Sequence, residues 1–360
     1  MYKTIPPIRD DDGSTEWVIR ESIAEGRVLS SPGYPARIPK PRLPDLYEVR
    51  TTPDMGQGVF AKNNIKRGEI IFSERPLLVA PNWVMAKDPK IDLFTTEQRQ
   101  KILRFEEEKS LEFAVQQRMN ENNKALYMAL HNSHTADGSG PLLGIMRTNG
   151  FGVRRLTDTG QDGPRLRYTA VCTIGSRLNH RYFLFNFIHI INSNIKFSCI
   201  PNVMHTINIP SFSIQFTALR DIKAGEQLYH SYCDVAQTKA ERQTELAPYG
   251  FTCSCLACVN ATPASDNLRK TFQSRVSRLD GRKEGRELWA DLVSGKQLEA
   301  EMVAEGLDVT LDFFTVMCVL HVAHGKLGMR AGEMKYQQRI RECSSIHVHG
   351  RPELQQFLRL

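Results

Sequence analysis

A chain of 360 residues is longer than one small core requires, so a main domain with a smaller second one is expected. Hydrophobic residues make up 41% and charged residues 24%, which is typical of a folded globular protein. No apolar run reaches ~18 residues, so a membrane-spanning helix is excluded. The net charge of +7 is small for this length and gives no indication of direct nucleic-acid binding.

The first 44 residues predict a poorly ordered leader. They begin with a polar stretch that has no signal-peptide core, so we expect an intracellular protein of the nucleus or the cytoplasm. They show no apolar periodicity. Prolines fall between basic residues at Pro32, Pro35, Pro39, Pro41 and Pro44.

Short strands separated by turns are predicted from about residue 46 onward. Gly56 and Gly68 fall in two of the turns, where glycine is a favoured residue. The predicted strands span residues 47–50, 58–61, 69–72, 77–80, 166–173 and 212–219.

A helical insert interrupts these strands at about residues 87–150. Thr95 followed by Gln98 has the spacing of a helix capping box. The residues that follow, up to about residue 132, are good helix formers, so one or two helices are expected there.

The composition becomes helical again after residue 260. Apolar residues recur at helical spacing over residues 311–322, and Gly325 to Gly328 predict a break before a second helix at about residues 331–342. The pair resembles a helical hairpin of repeat type, although two helices are too few to establish a repeat. We interpret this C-terminal region as a packing appendage without chemistry of its own.

Three of the eight cysteines lie within six residues, at Cys253, Cys255 and Cys258. In a chain without a secretory signal, such a group favours a metal site over disulfide bonds. Thiolates suit tetrahedral zinc, which takes four ligands in a closed structural site. The fourth must come from elsewhere, and Cys199 is the candidate. The alternative is a chance group of buried cysteines that bind no metal.

Several further motifs precede these cysteines. They are Gly56-Gln57-Gly58, Asn179-His180, Ser198-Cys199-Ile200-Pro201-Asn202 and Gly225-Glu226-Gln227-Leu228 followed by Ser231-Tyr232. Each is weak alone, because Gly-x-Gly is more often a plain turn and a single histidine is more often structural. In this order they resemble the SET domain, in particular the SET and MYND-domain family with its fungal relatives. The resemblance covers about residues 46–259, and the MYND zinc finger is missing.

The resemblance implies an α+β fold with three parts. A β-rich SET domain with inserted helices would span residues 45–259 and end in a zinc-binding post-SET segment at about residues 250–259. A small helical C-terminal region would occupy residues 260–360. The implied cofactors are S-adenosyl-L-methionine (AdoMet) as methyl donor and Zn²⁺ as a structural ion.

The resemblance also assigns roles to residues. Tyr232 matches the catalytic tyrosine, while Tyr249 and Phe251 resemble the aromatic side chains that wall the lysine channel. Phe251 also covers the cofactor, whose other contacts would be Gly56, Gln57, Gly58, Asn149, Asn179 and His180. The zinc ligands would be Cys199, Cys253, Cys255 and Cys258.

The residue types suit methyl transfer to an amine. A free lysine has a pKa of ~10.4, yet the nucleophile must be the neutral amine. A narrow apolar channel that ends at a cation disfavours the ammonium form by desolvation and charge repulsion. Tyr232 would orient the nitrogen, and aromatic faces would stabilise cations by ~0.5–2 kcal/mol each.

An insertion of 17 residues, 181–197, splits the family motif between His180 and Ser198. Its apolar composition is unusual for a loop and is typical of an aggregation-prone strand. Its residue types have codons rich in A and T, and 17 codons make 51 nucleotides and keep the reading frame. We favour a translated or retained short intron over a genuine buried strand or partner-binding hairpin.

Three hypotheses about the function follow. The first is an enzyme, a protein-lysine N-methyltransferase whose partner is a protein with a target lysine, including histones and thus association with chromatin. The second is a catalytically impaired SET-fold interaction protein, which the insertion favours. A zinc-stabilised structural protein that does not bind AdoMet is a third and weaker hypothesis.

Overall fold

The structure is a computed structural model that describes residues 1–7, 11–20, 22–53, 56–82, 90–153, 156, 168–179, 199, 201–253 and 255–347. Two compact units are distinguished by their internal contacts. The first unit comprises Met1–Arg50, Ile70–Leu178 and His205–Phe216. The second unit comprises Thr51–Glu69, Asn179–Met204 and Thr217–Leu360.

Runs of strands and runs of helices follow one another along the described residues, as expected for an α+β fold. The strands are β1 (Tyr2–Ile5), β2 (Thr15–Val18), β3 (Tyr47–Thr51), β4 (Gln57–Ala61), β5 (Ile70–Glu74), β6 (Leu78–Pro81), β7 (Gly150–Val153), β8 (Tyr168–Val171), β9 (Val203–Asn208) and β10 (Ser213–Ala218). The helices are α1 (Ser22–Leu29), α2 (Thr96–Glu112), α3 (Glu121–Met128), α4 (Pro141–Asn149), α5 (Lys239–Leu246), α6 (Leu256–Val259), α7 (Pro263–Val276), α8 (Gly285–Ala304), α9 (Leu311–Lys326) and α10 (Arg330–His347). Strands β3, β4, β5, β6, β8 and β10 confirm the six that the sequence predicts.

A five-stranded mixed sheet with the order β1-β2-β6-β8-β7 forms the first unit's main layer. Strands β2 and β6 run parallel, with Glu16 opposite Leu78, and the other neighbours run antiparallel. Trp17 of β2 is fully buried. The sheet therefore combines strands that lie more than sixty residues apart in the sequence.

Helices α2, α3 and α4 pack against this sheet. Thr95 and Gln98 form the predicted capping box at the start of α2, which continues into a π-helical stretch, Phe113–Arg118. Tyr127 of α3 is fully buried, and its hydroxyl donates to the carbonyl oxygen of Leu142 at 2.8 Å. Buried side chains of these helices and of the sheet share one hydrophobic core.

The prediction that residues 1–44 form a poorly ordered leader is wrong. Strands β1 and β2 and helix α1 lie within them, and all four residues of β2 are buried. Arg75, itself only 6% exposed, donates to the carbonyl oxygens of Gly13 at 2.8 Å and Ala36 at 3.2 Å. The composition gave no sign of this order because β2 gains its burial from pairing with distant β6.

A three-stranded sheet, β5-β10-β9, lies largely in the same unit. Glu74 at the end of β5 accepts hydrogen bonds from the backbone N–H groups of Thr173, Ile174 and Gly175. Burial raises the pKa of Glu74, and these hydrogen bonds oppose that rise. The carboxyl group thereby fixes the short segment that leads to Leu178.

Strand β4 and the segment of residues 225–229 lie side by side in the second unit. Leu228 N–H donates to the Val59 carbonyl oxygen, and Ala61 N–H donates to that of Glu226, both at 2.8 Å. Val59 and Leu228 are fully buried. The pairing brings the Gly56–Gly58 region next to the segment that ends in Tyr232.

Helices α7 to α10 build the helical region that follows, around a separate hydrophobic core. Helices α9 and α10 confirm the predicted C-terminal pair, and Gly328, with a φ of +66°, lies between them. Phe313, Phe314 and Met317 of α9 are fully buried. Among the residues that the structure describes, no helix has both the length and the apolarity needed to cross a membrane.

Candidate metal centre and active site

Four cysteine thiols meet in the second unit. Cys199, Cys253, Cys255 and Cys258 are all at least 95% buried, and their sulfur atoms lie within 4.8 Å of one another. The Cys199 Sγ atom lies 3.7 Å from that of Cys253 and 3.5 Å from that of Cys258. The group therefore joins the three neighbouring cysteines to the distant one that the sequence suggested as the fourth ligand.

The spacing of these sulfur atoms fits a tetrahedral zinc ion. With Zn–S bonds of ~2.3 Å, the sulfur atoms of a tetrahedral site lie about 3.8 Å apart. The two distances from Cys199 Sγ match this value closely. A set of four buried thiols also suits a closed structural site, so the cluster is compatible with zinc.

Helix α5 supplies cationic and amide donors to the cluster. Arg242, which is fully buried, donates to the Cys258 Sγ atom at 3.5 Å and to the Ala257 carbonyl oxygen at 3.2 Å. Gln243 donates to the same sulfur at 3.6 Å and exchanges hydrogen bonds with the Cys253 backbone. Burial lowers the pKa of Arg242, but its hydrogen bonds and charge interactions with Cys258 and Cys199 together outweigh this effect and leave the pKa raised.

Hydrogen bonds within the cluster favour thiolate at Cys258. Its pKa is lowered to about 6, chiefly by the hydrogen bonds that it shares with Cys199 and Cys253. Four thiolates around one Zn²⁺ ion have a net charge of −2, which one guanidinium partly compensates. The sequence alone does not indicate this role for Arg242, since a single arginine in a helix is usually a surface residue.

Replacing Arg242 with methionine is expected to weaken zinc binding and the fold together. Loss of a partner that orients metal ligands typically costs ~10–100-fold in affinity. Removal of a buried, paired cation costs about 3–5 kcal/mol of unfolding free energy. Chelator competition and urea unfolding measure the two quantities.

Arg275→Met is the matched control for Arg242→Met, because Arg275 is a partly exposed arginine paired with Glu301. It should keep full zinc affinity and lose no more than about 1 kcal/mol. Folded Arg242→Met protein with unchanged zinc affinity would show that the guanidinium does not support the metal site.

The start of β4 brings Gly56, Gln57 and Gly58 next to two amide side chains. A Cβ atom on Gly58 would lie 2.4 Å from Gln227 Nε2 and 3.1 Å from Asn179 Nδ2. Only glycine lets these side chains approach the strand so closely. Gly56 has a φ of +65°, so it too occupies a conformation that favours glycine.

Asn179 connects this turn to the segment that precedes Tyr232. Its side chain donates to the Gln57 carbonyl oxygen at 3.1 Å, and its own carbonyl oxygen accepts from His230 N–H at 3.2 Å. Asn179 and Gln57 are 122 residues apart in the sequence. Asn179 is therefore held against both motifs.

Asn202 is a structural residue of the site that sequence analysis did not single out. It is 1% exposed, and its side-chain oxygen accepts from Tyr229 N–H at 2.6 Å. Its side-chain nitrogen donates to the Gln227 carbonyl oxygen at 2.9 Å. The sequence did contain a clue, since Asn202 ends the same motif that contains Cys199.

Three aromatic side chains lie beside the cysteine cluster. The ring centroids of Tyr232 and Tyr249 are 4.8 Å apart, and those of Tyr249 and Phe251 are 6.4 Å apart. All three are half-buried. Tyr232 and Phe251 also pack against the buried cysteines. The structure thus groups the catalytic and channel candidates with the metal site.

Asn149 lies outside this group, in the first unit. It ends helix α4, and its side-chain nitrogen donates to the carbonyl oxygens of His131 at 2.7 Å and Ile145 at 2.8 Å. His180 and the insertion 181–197 lie outside the described residues. The predictions made for them stay predictions.

Comparison with known families agrees with this arrangement. Residues 56–233, about half of the chain, match the family model of the SET domain. The chain is therefore a SET-domain protein, which confirms the resemblance found in the sequence.

Three relatives of this chain are named as lysine methyltransferases. Histone-lysine N-methyltransferase set5 of Schizosaccharomyces pombe is 29% identical over 215 residues, which is 59% of this chain and 50% of that protein. Protein-lysine N-trimethyltransferase SMYD5 of Gallus gallus is 36% identical over 76 residues, covering 20% of this chain and 18% of that protein. For histone-lysine N-methyltransferase SMYD3 of Mus musculus the identity is 35% over 77 residues, covering 21% and 18%. The chain thus spans half or less of the length of these relatives.

Proposed function

We propose that this chain is an AdoMet-dependent protein-lysine N-methyltransferase. The observation that supports it best is the pair of contacts made by Asn179. Its side chain binds the Gly-x-Gly turn at Gln57, and its backbone binds His230, two residues before Tyr232. Three motifs that are far apart in the sequence therefore lie together, as one binding site with a neighbouring catalytic residue requires.

The cofactor would bind against the turn of residues 56–58. Gly56 and Gln57 are exposed and leave backbone that a ligand can approach, while the missing side chain of Gly58 lets Asn179 lie against the strand. Asn179 offers a half-buried amide at the same place, and His180 and Phe251 would complete the site. When bound, AdoMet would supply an electrophilic methyl group on a sulfonium.

The lysine amine would enter among Tyr232, Tyr249 and Phe251. Their rings exclude water from the channel, which disfavours the ammonium form and lets the amine lose its proton to solvent. Their faces attract cationic groups by ~0.5–2 kcal/mol each. The Tyr232 hydroxyl would orient the nitrogen, and alignment of this kind contributes several kcal/mol to lowering a barrier.

Zinc would have a structural role. Cys253 and Cys255 follow Phe251 closely, and Tyr232 packs on the buried cysteines. An ion held by all four thiolates would therefore fix the aromatic residues that form the channel.

The substrate in this proposal is an intracellular protein with an accessible lysine, in the nucleus or the cytoplasm. Two of the relatives are named histone-lysine methyltransferases, so histones and association with chromatin are included. The test is transfer of labelled methyl groups from AdoMet to histones and to other lysine-rich proteins, followed by hydrolysis. Recovery of methyl-lysine supports the proposal. Label on another residue type, or none from a form that binds AdoMet, would reject it.

A second candidate function is that of an interaction protein with impaired catalysis. The observation in its favour is the 17-residue insertion, 181–197, which separates His180 from Ser198. Such a protein would keep the zinc site and the fold but would bind AdoMet weakly. Equilibrium binding of labelled AdoMet to the full chain distinguishes the two functions.

Removing residues 181–197 is expected to improve AdoMet binding and solubility. Joining His180 directly to Ser198 restores the backbone connection between the cofactor motif and Cys199. At a concentration of 100 times its dissociation constant, a ligand of the native state adds ~2.7 kcal/mol of stability. The melting temperature of the shortened form should therefore rise by several degrees with AdoMet, and that of the full chain should rise less.

Asn179→Ala in the shortened form is the matched control, because it removes the amide beside the turn and should abolish the rise. Equal stabilisation of the full and shortened chains would mean that the insertion leaves the cofactor site intact. Mature transcripts that retain the 51 nucleotides would separately reject the intron hypothesis.

A further inference from the structure

A fifth thiol lies against the four candidate zinc ligands. Cys233 is 8% exposed and belongs to the same buried cluster. Its thiol is hydrogen-bonded to that of Cys199, and the Ser231 hydroxyl oxygen lies 3.7 Å from its sulfur. Cys233 is absent from the set of sulfur atoms that all lie within 4.8 Å of one another. It therefore lies beside the tetrahedron, on the side that Cys199 occupies.

We propose that Cys233 is a reserve zinc ligand that can take the place of Cys199. This inference rests on the zinc site of the proposed function and adds a fifth thiolate to it. Zinc has no geometric preference from its d electrons and accepts a change of ligand within a tetrahedral site. A thiol in contact with the leaving ligand needs only a small movement to enter the vacated position.

The chain connections explain why Cys199 is the exchangeable ligand. Cys253, Cys255 and Cys258 belong to one short segment, whose backbone is fixed by Gln243 and by helix α6. Cys199 reaches the cluster from 54 residues earlier in the sequence. Departure of Cys199 would therefore leave the other three ligands in place and one position open.

The exchange would also link the metal to the proposed catalytic residue. Cys233 directly follows Tyr232, and Ser231 donates to the Cys233 carbonyl oxygen at 2.8 Å. Movement of the Cys233 sulfur toward the ion would pull on this turn. Zinc coordination by Cys233 would thus change the position of the Tyr232 ring relative to Tyr249.

Thiolate counting in purified variants tests the proposal. Cobalt substituted for zinc gives a charge-transfer absorption that grows with the number of bound thiolates. The wild-type chain and Cys199→Ser should both bind one metal ion with a four-thiolate spectrum. The double variant Cys199→Ser/Cys233→Ser should show three thiolates and bind zinc at least about tenfold more weakly, because one position then lacks a thiolate. Cys199→Ser/Cys172→Ser is the matched control and should behave as Cys199→Ser, since Cys172 is a buried thiol outside the cluster.

A three-thiolate spectrum for Cys199→Ser, equal to that of the double variant, would overturn the proposal. Three thiolates in Cys233→Ser alone would overturn it as well, because Cys233 would then be a primary ligand. A wild-type chain that binds no metal would reject the zinc site itself, which is a different result.

A second measurement tests the role of Cys233 if Cys199→Ser does not fold. Cys233→Ser keeps all four primary ligands and exchanges one small side chain for another, so we expect it to fold. A reserve ligand recaptures the ion whenever Cys199 dissociates, so zinc transfer to a chromophoric chelator should be several-fold faster in Cys233→Ser than in wild type. Equal transfer rates would overturn the proposal.

Discussion

Replacing Cys255 with serine is expected to release the zinc ion and to destabilise the second unit strongly. Wild-type protein purified without added zinc should contain about one zinc ion per chain, as a closed four-ligand site requires. Metal binding contributes directly to folding, with apparent free energies of ~10–16 kcal/mol in zinc-finger peptides. Even a fraction of this exceeds the effect of most single substitutions. Elemental analysis and thermal melting measure the loss.

Cys172→Ser separates the loss of a ligand from the loss of a buried thiol. Cys172 is fully buried, as the cluster cysteines are, but it lies in the first unit. This variant should keep its zinc and melt only slightly below wild type. A Cys255→Ser protein that is free of metal and melts like Cys172→Ser would contradict a folding role for zinc.

Replacing Tyr232 with phenylalanine is expected to lower turnover about 10²–10³-fold, the usual cost of removing one preorganised donor from an active site. The ring remains, so its packing against Tyr249 and the cysteine cluster should persist. AdoMet affinity should change little, because the hydroxyl would act mainly in the transition state. Single-turnover methyl transfer and equilibrium AdoMet binding, both in the form without residues 181–197, provide the two measurements.

Tyr229→Phe is the matched control for this prediction. The Tyr229 hydroxyl donates to Gln227 Oε1 at 2.7 Å, and the side chain is 8% exposed. Its loss should cost stability more than turnover. If Tyr232→Phe kept full turnover while Tyr229→Phe lost it, the catalytic role would belong to Tyr229.

The cysteine cluster could be predicted from the sequence because three of its members are neighbours. Cys253, Cys255 and Cys258 lie within six residues, so their grouping requires no knowledge of the fold. Cys199 was identified as the fourth from its motif. Cys233 and Arg242 could not be found in this way, because their contacts with the cluster depend on how α5 and the Tyr232 turn pack.

The strands also divide into those that the sequence predicts and those that it does not. Strand β4 was predictable from its position between turns, and its partner segment was part of a motif. Strand β2 was missed, because its four residues, Thr15–Val18, are all buried and show no alternation of polar and apolar side chains. It pairs with nearby β1 and also with β6, whose residue Leu78 lies opposite Glu16 more than sixty residues away. A contact across such a separation leaves no pattern in the local sequence.

The pairing of β2 with β6 has a consequence for where this protein can be shortened. The proline-rich start suggests residue 45 as a point for truncation. Removing the residues before it would leave β6 at the edge of the sheet, with a row of unpaired backbone groups. Exposed edge strands of this kind promote pairing between copies of a chain. Arg75 would at the same time lose the carbonyl oxygens of Gly13 and Ala36. Truncation at residue 45 is therefore expected to promote aggregation, whereas a form that keeps β1 and β2 leaves β6 covered.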